Sequence, residues 1–136
     1  MTVLLFLVAA SLQATTPPMK TIDLGQNSEV EIPRQAVARS AEEWDALWRS
    51  HAPQRSRPAV DFANSMVVGI FLGQRPTAGF GVSIVGTREE QARLVVQYRE
   101  TRPRPDAITA QVLTAPYHIV TIAKRAGAIT FEKVER

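Results

Sequence analysis

The stretch MVVGIFLGQRPTAGFGVSI, Met66 to Ile84, contains two different hydrophobic patterns separated by a turn. Residues 66–72 form a continuous apolar run closed by Gly73, which favours a short strand covered on both faces. After the turn, apolar side chains occupy every second position, at Phe80, Val82 and Ile84. This period of two is typical of a strand. The stretch therefore predicts two strands joined by a glycine-rich segment.

The glycine-rich segment does not fit a phosphate-binding motif. A P-loop requires GxxxxGK[ST], but the spacing from Gly73 to Gly79 is one residue too long, and Phe80 stands where the lysine belongs. A dinucleotide fingerprint requires GxGxxG before a helix, whereas this segment offers GxG before a strand. We interpret it as a turn in which Pro76 fixes φ and Gly79 permits a positive φ.

The remaining segments predict further strands and one helix. In SAEEWDALWRSH, Ser40 is a suitable N-cap and Glu43 completes a capping box. An apolar stripe follows at helical spacing, made by Trp44, Leu47 and Trp48, with His51 on the same side at the C-terminal end. Further strands are predicted in MKTIDL before a turn at Gly25–Asn27, in ARLVVQYRE after a polar turn at Thr87–Glu90, at Tyr117–Lys124 and in AITFEKV. Glu29–Ile32 is expected to be extended, as an edge strand or a bulge, because Pro33 interrupts a continuous ladder. We therefore expect an α+β fold that is mainly antiparallel β. It would be a sandwich or barrel-like roll of six to seven strands with one amphipathic helix, forming a single domain over residues 15–136.

The composition is that of one ordinary globular domain. The 136 residues carry a net charge of +3, and thirteen of the sixteen basic residues are arginine. The arginines are scattered and form no basic stripe with interleaved aromatics, so we expect no nucleic-acid partner. The chain has no cysteine. Disulfides, cysteine-based zinc sites and a lipid-bearing lipobox cysteine are therefore excluded.

The N-terminus has the pattern of a signal peptide. An apolar core from Val3 to Ala10 is followed by small and polar residues, which predicts a signal over residues 1–14 with cleavage after Ala14. The segment before the core has no lysine or arginine, so an N-terminal buried strand or helix is the alternative. The signal predicts a secreted or periplasmic protein with no membrane span after cleavage.

No arrangement of residues predicts catalysis, a metal or a cofactor. The two histidines, His51 and His118, lack any spacing typical of metal ligands, and we interpret them as structural residues. The sequence has no GxSxG elbow, and its acidic residues cluster in the helix and in a polar turn. A hydrolase that uses Asp61 with His51 or His118 is the weakest hypothesis.

Several segments together resemble a known family. In order they are EEWDALWRSH, RPAVDF, the stretch MVVGIFLGQRPTAGFGVSI, LVVQYRETRPRP and QVLTAPYHIVTIAK. They resemble the C-terminal domain of PrcB-type protease complex subunits, a bacterial secreted or envelope-associated family, over residues 35 to 125. The resemblance implies a non-catalytic partner of an extracellular or periplasmic protease, or of another envelope protein. It brings no catalytic residues.

Two functional hypotheses follow. The first is an interaction module whose contact surface includes Arg75, Thr77, Phe80 and Tyr117, because a rigid turn with an arginine and an aromatic is a suitable hot spot. A hairpin turn with Phe80 facing the core is the structural alternative. The second hypothesis is a small-molecule or peptide-binding domain with a pocket between the helix and the sheet, lined by Trp44 and Tyr117.

Overall fold

Two antiparallel-rich β-sheets and one helix make up the structure, a computed structural model that describes residues 18–135. The predicted signal peptide, residues 1–14, lies outside the described residues. The elements in chain order are β1 (Lys20–Gly25), β2 (Arg34–Ala38), α1 (Ala41–His51), β3 (Ser65–Phe71), β4 (Gly81–Glu90), β5 (Arg93–Thr101), β6 (Tyr117–Ala123) and β7 (Ile129–Lys133). One sheet has the strand order β1-β6-β3-β2, and the other has the order β4-β5-β7.

Strands β3 and β6 lie at the centre of the four-stranded sheet and are buried on both faces. Alternate side chains of these strands enter two different cores, because successive residues of a strand point to opposite faces. Val67, Phe71 and Ile119 pack against α1, whereas Val68 and Val120 pack against the three-stranded sheet. The prediction that the apolar run from Met66 forms a strand covered on both faces is confirmed.

The helix covers the outer face of the four-stranded sheet. Its N-cap is Ser40, whose Oγ accepts a hydrogen bond from the Glu43 amide at 3.2 Å, as predicted. Both tryptophans are almost fully buried, and the Trp44 and Trp48 indole groups donate to the carbonyls of Pro58 and Arg55 at 2.9 and 2.8 Å. The helix stripe therefore also fixes the connector that leads from α1 to β3.

The fold class is the predicted one: residues 18–135 form seven strands in two sheets and one short helix, and the sheets do not close into a barrel. Strands β4 and β5 form an antiparallel hairpin, in agreement with the mainly antiparallel fold that the sequence predicted. The last strand, β7, pairs in parallel with β5, which the sequence patterns did not predict. Within residues 18–135, no helix has the length and apolar character needed to cross a membrane.

Two predictions of local structure are wrong. Glu29–Ile32 is not a strand, because the amides of this segment have other partners: Glu29 donates to the His51 carbonyl at 2.9 Å and Val30 to the Ser28 hydroxyl at 3.0 Å. The strand of this region starts instead after Pro33.

Thr87–Glu90 is not a turn but the end of β4, and the hairpin turns at Gln91, whose φ is 55°. The polar residues there form ion pairs, between Arg93 and Glu90 within the hairpin at 2.8 Å and between Arg88 and Glu132 of β7 at 2.6 Å. The polar composition of Thr87–Glu90 therefore belongs to the exposed end of a hairpin strand and not to a turn.

A buried histidine joins the two sheets. His118 of β6 accepts a hydrogen bond at Nδ1 from the backbone N–H of Ile84 in β4, at 2.8 Å, and its Nε2 lies 2.8 Å from the Thr21 hydroxyl. Because Nδ1 accepts, the ring is neutral and Nε2 donates to Thr21. Burial lowers the pKa of His118 below its ordinary value, so the folded protein holds this ring neutral.

We predict that acid destabilises the protein through this histidine. Since the pKa of His118 is lower in the folded than in the unfolded chain, where it is about 6.5, the unfolded state binds more protons between the two values. The stabilisation is complete above about pH 6.5 and is lost as the pH falls toward the lowered value, with a slope of at most about 1.4 kcal/mol per pH unit for each histidine. Urea unfolding at pH 7.5, 6.5 and 5.5 measures this slope.

The matched variant is His118→Gln, whose amide offers an acceptor for Ile84 and a donor for Thr21 but does not titrate. It should reduce the pH slope by the share of one histidine. An unchanged slope in this variant would contradict the assignment of the proton to His118.

Candidate functional site

Three loops meet at one end of the domain, where β3 and β5 end and β2, β4 and β6 begin. We call this surface the loop end; it consists of residues 26–33, 72–80 and 102–116. The backbones of Arg75 and Thr114 exchange hydrogen bonds at 2.7 and 2.9 Å. The Gln74 amide donates to the Glu31 carbonyl at 2.8 Å, and the Ala78 amide donates to the Ala110 carbonyl at 3.1 Å. These bonds hold the three loops together.

The loop-end turns require glycine at two positions. Gly73 and Gly79 have φ values of 76° and 96°, in the left-handed region that favours glycine. A Cβ at Gly73 would lie 2.7 Å from the nitrogen of Pro33, and one at Gly79 would lie 2.8 Å from Cβ of Pro103. The glycines therefore serve turn geometry and close loop packing, as the sequence indicated for Gly79.

Three of the four predicted contact residues lie in this turn. The guanidinium of Arg75 lies over the ring of Phe80, 5.7 Å from its centroid. Phe80 is partly exposed and lies outside both hydrophobic cores. The Thr77 carbonyl accepts a hydrogen bond from the Thr114 hydroxyl at 2.9 Å. The turn thus presents a stacked arginine–phenylalanine pair on a fixed backbone.

Tyr117, the fourth predicted residue, is not part of this surface. It is 5% exposed, and its ring packs in the core beneath α1, 4.2 Å from the His51 ring by centroid distance. Its hydroxyl donates to Oδ1 of Asp23 at 2.9 Å and lies 3.2 Å from Nη2 of Arg55. Tyr117 therefore belongs to a polar cluster that is separate from the loop end.

The loop end also carries exposed apolar side chains that the sequence analysis did not single out. Ile108, Val112 and Leu113 are fully or more than half exposed on the 102–116 loop, and Ile32 is exposed on the neighbouring loop. Their signal in the sequence was weak, because a segment such as AITAQVL resembles a strand until its lack of a partner strand is known.

The polar cluster that contains Tyr117 surrounds His51, whose side chain has no exposed surface. Its Nδ1 lies 2.7 Å from the Ser28 hydroxyl, and its Nε2 lies 2.8 Å from Oδ2 of Asp23. Nη2 of Arg55 also lies 2.6 Å from Oδ2 of Asp23. We call this set of residues the His51 cluster: Asp23, Ser28, His51, Arg55 and Tyr117. Spacing along the chain gave no signal for Asp23, Ser28 or Arg55, since they come from three separate segments.

Burial and hydrogen bonding have opposite effects on the ionisable groups of the His51 cluster. Burial lowers the pKa of His51 more than the hydrogen bond to Asp23 raises it. Burial alone would raise the pKa of Asp23, but hydrogen bonds from Arg55, His51 and Tyr117 outweigh it and hold the pKa below its usual value. The stable form near neutral pH is a neutral imidazole beside an aspartate whose charge is balanced by Arg55.

The order Ser28–His51–Asp23 has the connectivity of a hydrolase triad, and its neighbouring amides are already in use. The Ser28 N–H donates to the Ala115 carbonyl at 3.0 Å, and the Val30 N–H donates to the Ser28 hydroxyl at 3.0 Å. An oxyanion hole needs free donors beside the nucleophile, and these two amides do not supply them. The arrangement instead connects the end of α1 to β1 and to the following loop.

Asp61, the aspartate of the hydrolase hypothesis, lies elsewhere. Its carboxylate accepts from the Ala63 amide at 3.1 Å and from the Asn64 side chain at 2.7 Å, forming the turn before β3. Neither histidine is among its hydrogen-bond partners. Among residues 18–135, no group of three or more His, Asp or Glu side chains is placed to hold a metal ion.

Comparison with known proteins places the central part of the chain in a family. The family model described as PrcB C-terminal matches residues 66–123, which run from β3 to the end of β6. This segment belongs to the PrcB C-terminal family, as the sequence resemblance predicted. The family points to a domain associated with a protease complex. No curated protein matches the chain, and no solved structure does.

We predict that Asp23→Asn destabilises the protein by about 2 kcal/mol, because it removes the charge that accepts hydrogen bonds from His51, Tyr117 and Arg55. Asp45→Asn is the matched control. Asp45 also bonds two arginines, Arg49 and Arg57, but on the surface, where such pairs contribute about 0–1 kcal/mol. Urea unfolding at pH 7 measures both losses. An equal loss of unfolding free energy in the two variants would show that the His51 cluster stabilises the protein no more than a surface ion pair does.

Proposed function

We propose that the chain is a non-catalytic, secreted or periplasmic interaction module of a protease complex, and that it binds its partner with the loop end. Family membership of residues 66–123 supports the association with a protease complex. The apolar core of residues 3–10 supports a location outside the cytoplasm. The observation that carries the proposal is the group of exposed apolar side chains on the hydrogen-bonded loop end.

The loop end has the features of a protein-binding surface. Exposed apolar residues are ordinary when single, but Ile108, Val112 and Leu113 are all exposed on one loop. The stacked pair of Arg75 and Phe80 lies on the loop that is bonded to this one. Aromatic and arginine side chains are enriched in binding hot spots. Because both loops are attached to buried strands, the surface is held in place before binding. This lowers the entropic cost of binding a partner.

The alternative site, a pocket between the helix and the sheet, has less support. Trp44 and Trp48 are 1% and 3% exposed, and both indole N–H groups are used in hydrogen bonds. Tyr117 lies in the same packed core. A ligand between α1 and the sheet would have to displace these side chains.

The non-catalytic assignment is supported by the enclosed ring of His51 and by the occupied amides beside Ser28. An activated serine reacts with fluorophosphonate reagents, so we expect the purified chain to remain unlabelled. Labelling that disappears in Ser28→Ala would show that the Ser28–His51–Asp23 arrangement is a catalytic triad.

The binding surface is tested by photo-crosslinking in native envelope fractions. A photoreactive residue at Val112, on the loop end, should crosslink to a protease identified by mass spectrometry. The same residue at Ala126 is the matched control, because Ala126 is exposed in the loop after β6, at the opposite end of that strand.

We expect a protease adduct from position 112 and none from position 126. Equal adducts from both positions, or none with a protease, would contradict the proposal. N-terminal sequencing of the chain from the same fraction tests its location: cleavage after Ala14 leaves Thr15 first, whereas an intact Met1 argues against export through this segment.

A further inference from the structure

A cavity of about 490 Å³ opens beside the loop end, between the edge strand β2 and strand β5 of the other sheet. Ligand pockets typically have volumes of about 300–1,000 Å³. We call this cavity the Arg75 pocket; the side chains and backbone that form it belong to Pro33, Arg34, Gln35, Ile70, Phe71, Leu72, Arg75, Tyr98 and Glu100. None of these residues belongs to the His51 cluster, and Phe71 alone is shared with the packed interface beneath α1.

Arg75 contributes to the lining of this pocket a guanidinium that has no described polar partner. Its Nε is enclosed and has no hydrogen-bond partner among residues 18–135. No carboxylate of the described residues lies within 4.0 Å of its guanidinium nitrogens. A donor removed from water without a partner costs free energy, and the ring of Phe80, 5.7 Å away, holds the guanidinium in this position. A ligand carboxylate in the pocket would supply the counter-charge that this guanidinium lacks.

The net charge of the pocket favours a singly charged anion. Arg34 at the start of β2 donates to the Ser50 hydroxyl at 3.2 Å and forms no ion pair with a described residue. Glu100 is the one carboxylate of the lining, and it lies 3.3 Å from Lys133 and 3.9 Å from Arg102. Because the Arg34 guanidinium is bonded to Ser50 of α1, Arg75 is the lining arginine that lacks a described polar partner, while the nearby Glu100 disfavours a doubly charged group such as a phosphate.

We propose that the Arg75 pocket binds the carboxylate of a peptide C-terminus whose last residue is apolar. A carboxylate matches the planar edge of a guanidinium and is accepted in two parallel hydrogen bonds. Ile70, Leu72 and Tyr98 supply the apolar wall for the last side chain.

The outer edge of β2 suits the rest of the peptide. This strand is last in the order β1-β6-β3-β2 and pairs with β3 on one side, and no described strand pairs with its other side. An extended peptide can add to such an edge by backbone hydrogen bonds. This inference rests on the pocket itself, so it stands or falls independently of the protease-complex assignment.

The test is an NMR titration of the ¹⁵N-labelled protein with acetyl-Ala-Ala-Leu bearing a free carboxylate, and with the same peptide as a C-terminal amide. We expect the free acid to shift the Arg75 Nε resonance and the amides of Leu72 and Tyr98. The amide should bind at least 10-fold more weakly, because it loses a charge-assisted hydrogen bond. Equal binding of acid and amide, or no shift at these positions with 10 mM acid, would overturn the proposal.

Arg75→Gln should weaken binding of the free acid at least 10-fold, and Arg75→Lys should fall between this variant and the wild type, since it keeps the charge and loses the planar fork. The matched control is Arg99→Gln, because Arg99 also has an enclosed Nε without a partner and lies in a separate groove beside Leu24. Binding that survives Arg75→Gln but not Arg99→Gln would assign the carboxylate to the other groove.

A small acid distinguishes the source of the carboxylate. 4-Methylpentanoate carries the same apolar group and charge without a peptide backbone. We expect it to bind more weakly than the peptide and to leave the β2 amides unshifted. If it binds as tightly as the peptide, and the peptide also leaves β2 unshifted, the assignment to a peptide C-terminus is wrong.

Discussion

The structure depends on two adjacent strands, β3 and β6, whose side chains are buried on both faces. Their seven paired positions, from Ser65 opposite Ala123 to Phe71 opposite Tyr117, form the centre of the molecule. One face of this strand pair packs against Trp44 and Trp48 of α1, and the other face packs against the three-stranded sheet. Because apolar burial is the main stabilising term in folding, neither central strand is stable without both covers.

Apolar packing alone does not fix how the helix and the strands are oriented. Buried polar groups supply specific links between these elements. His118 links the backbone of β4 to β6, and the His51 cluster links the end of α1 to β1. Every such group must keep its partners, since an unsatisfied buried donor or acceptor is costly. The scaffold that results is rigid at its centre, and the loops at one end are attached to it at fixed points. The proposed binding surface and the Arg75 pocket both lie at this end, where backbone groups and apolar side chains remain available to a partner.

Sequence patterns were sufficient for the parts of this fold that depend on local periodicity. The apolar run from Met66 predicted β3, and the stripe with its Ser40 cap predicted α1. Sequence patterns failed where contacts between distant segments determine the local structure. Glu29–Ile32 has strand-like residues, but its amides are used by Ser28 and His51. The parallel pairing of β7 with β5 likewise depends on how the two sheets are arranged.

The candidate sites show the same division. The Arg75–Phe80 turn could be found from its residues, because proline and glycine fix its geometry within ten positions. Tyr117 could not be assigned correctly, since its neighbours Asp23 and Arg55 are distant in the chain. The Arg75 pocket was also invisible to sequence reasoning, because β2 and β5 approach each other through the packing of two different sheets.

The central claim is that a centre buried on both faces presents the loop end as a fixed but uncovered surface. Native-state amide hydrogen exchange, read residue by residue, tests it most directly. The account predicts that the amides of β3 and β6, and the Ile84 amide that donates to His118, exchange only through global unfolding, whereas the amides of 108–113 exchange orders of magnitude faster. Fast exchange at Ile84 and along β6, or protection of 108–113 equal to that of β6, would contradict it.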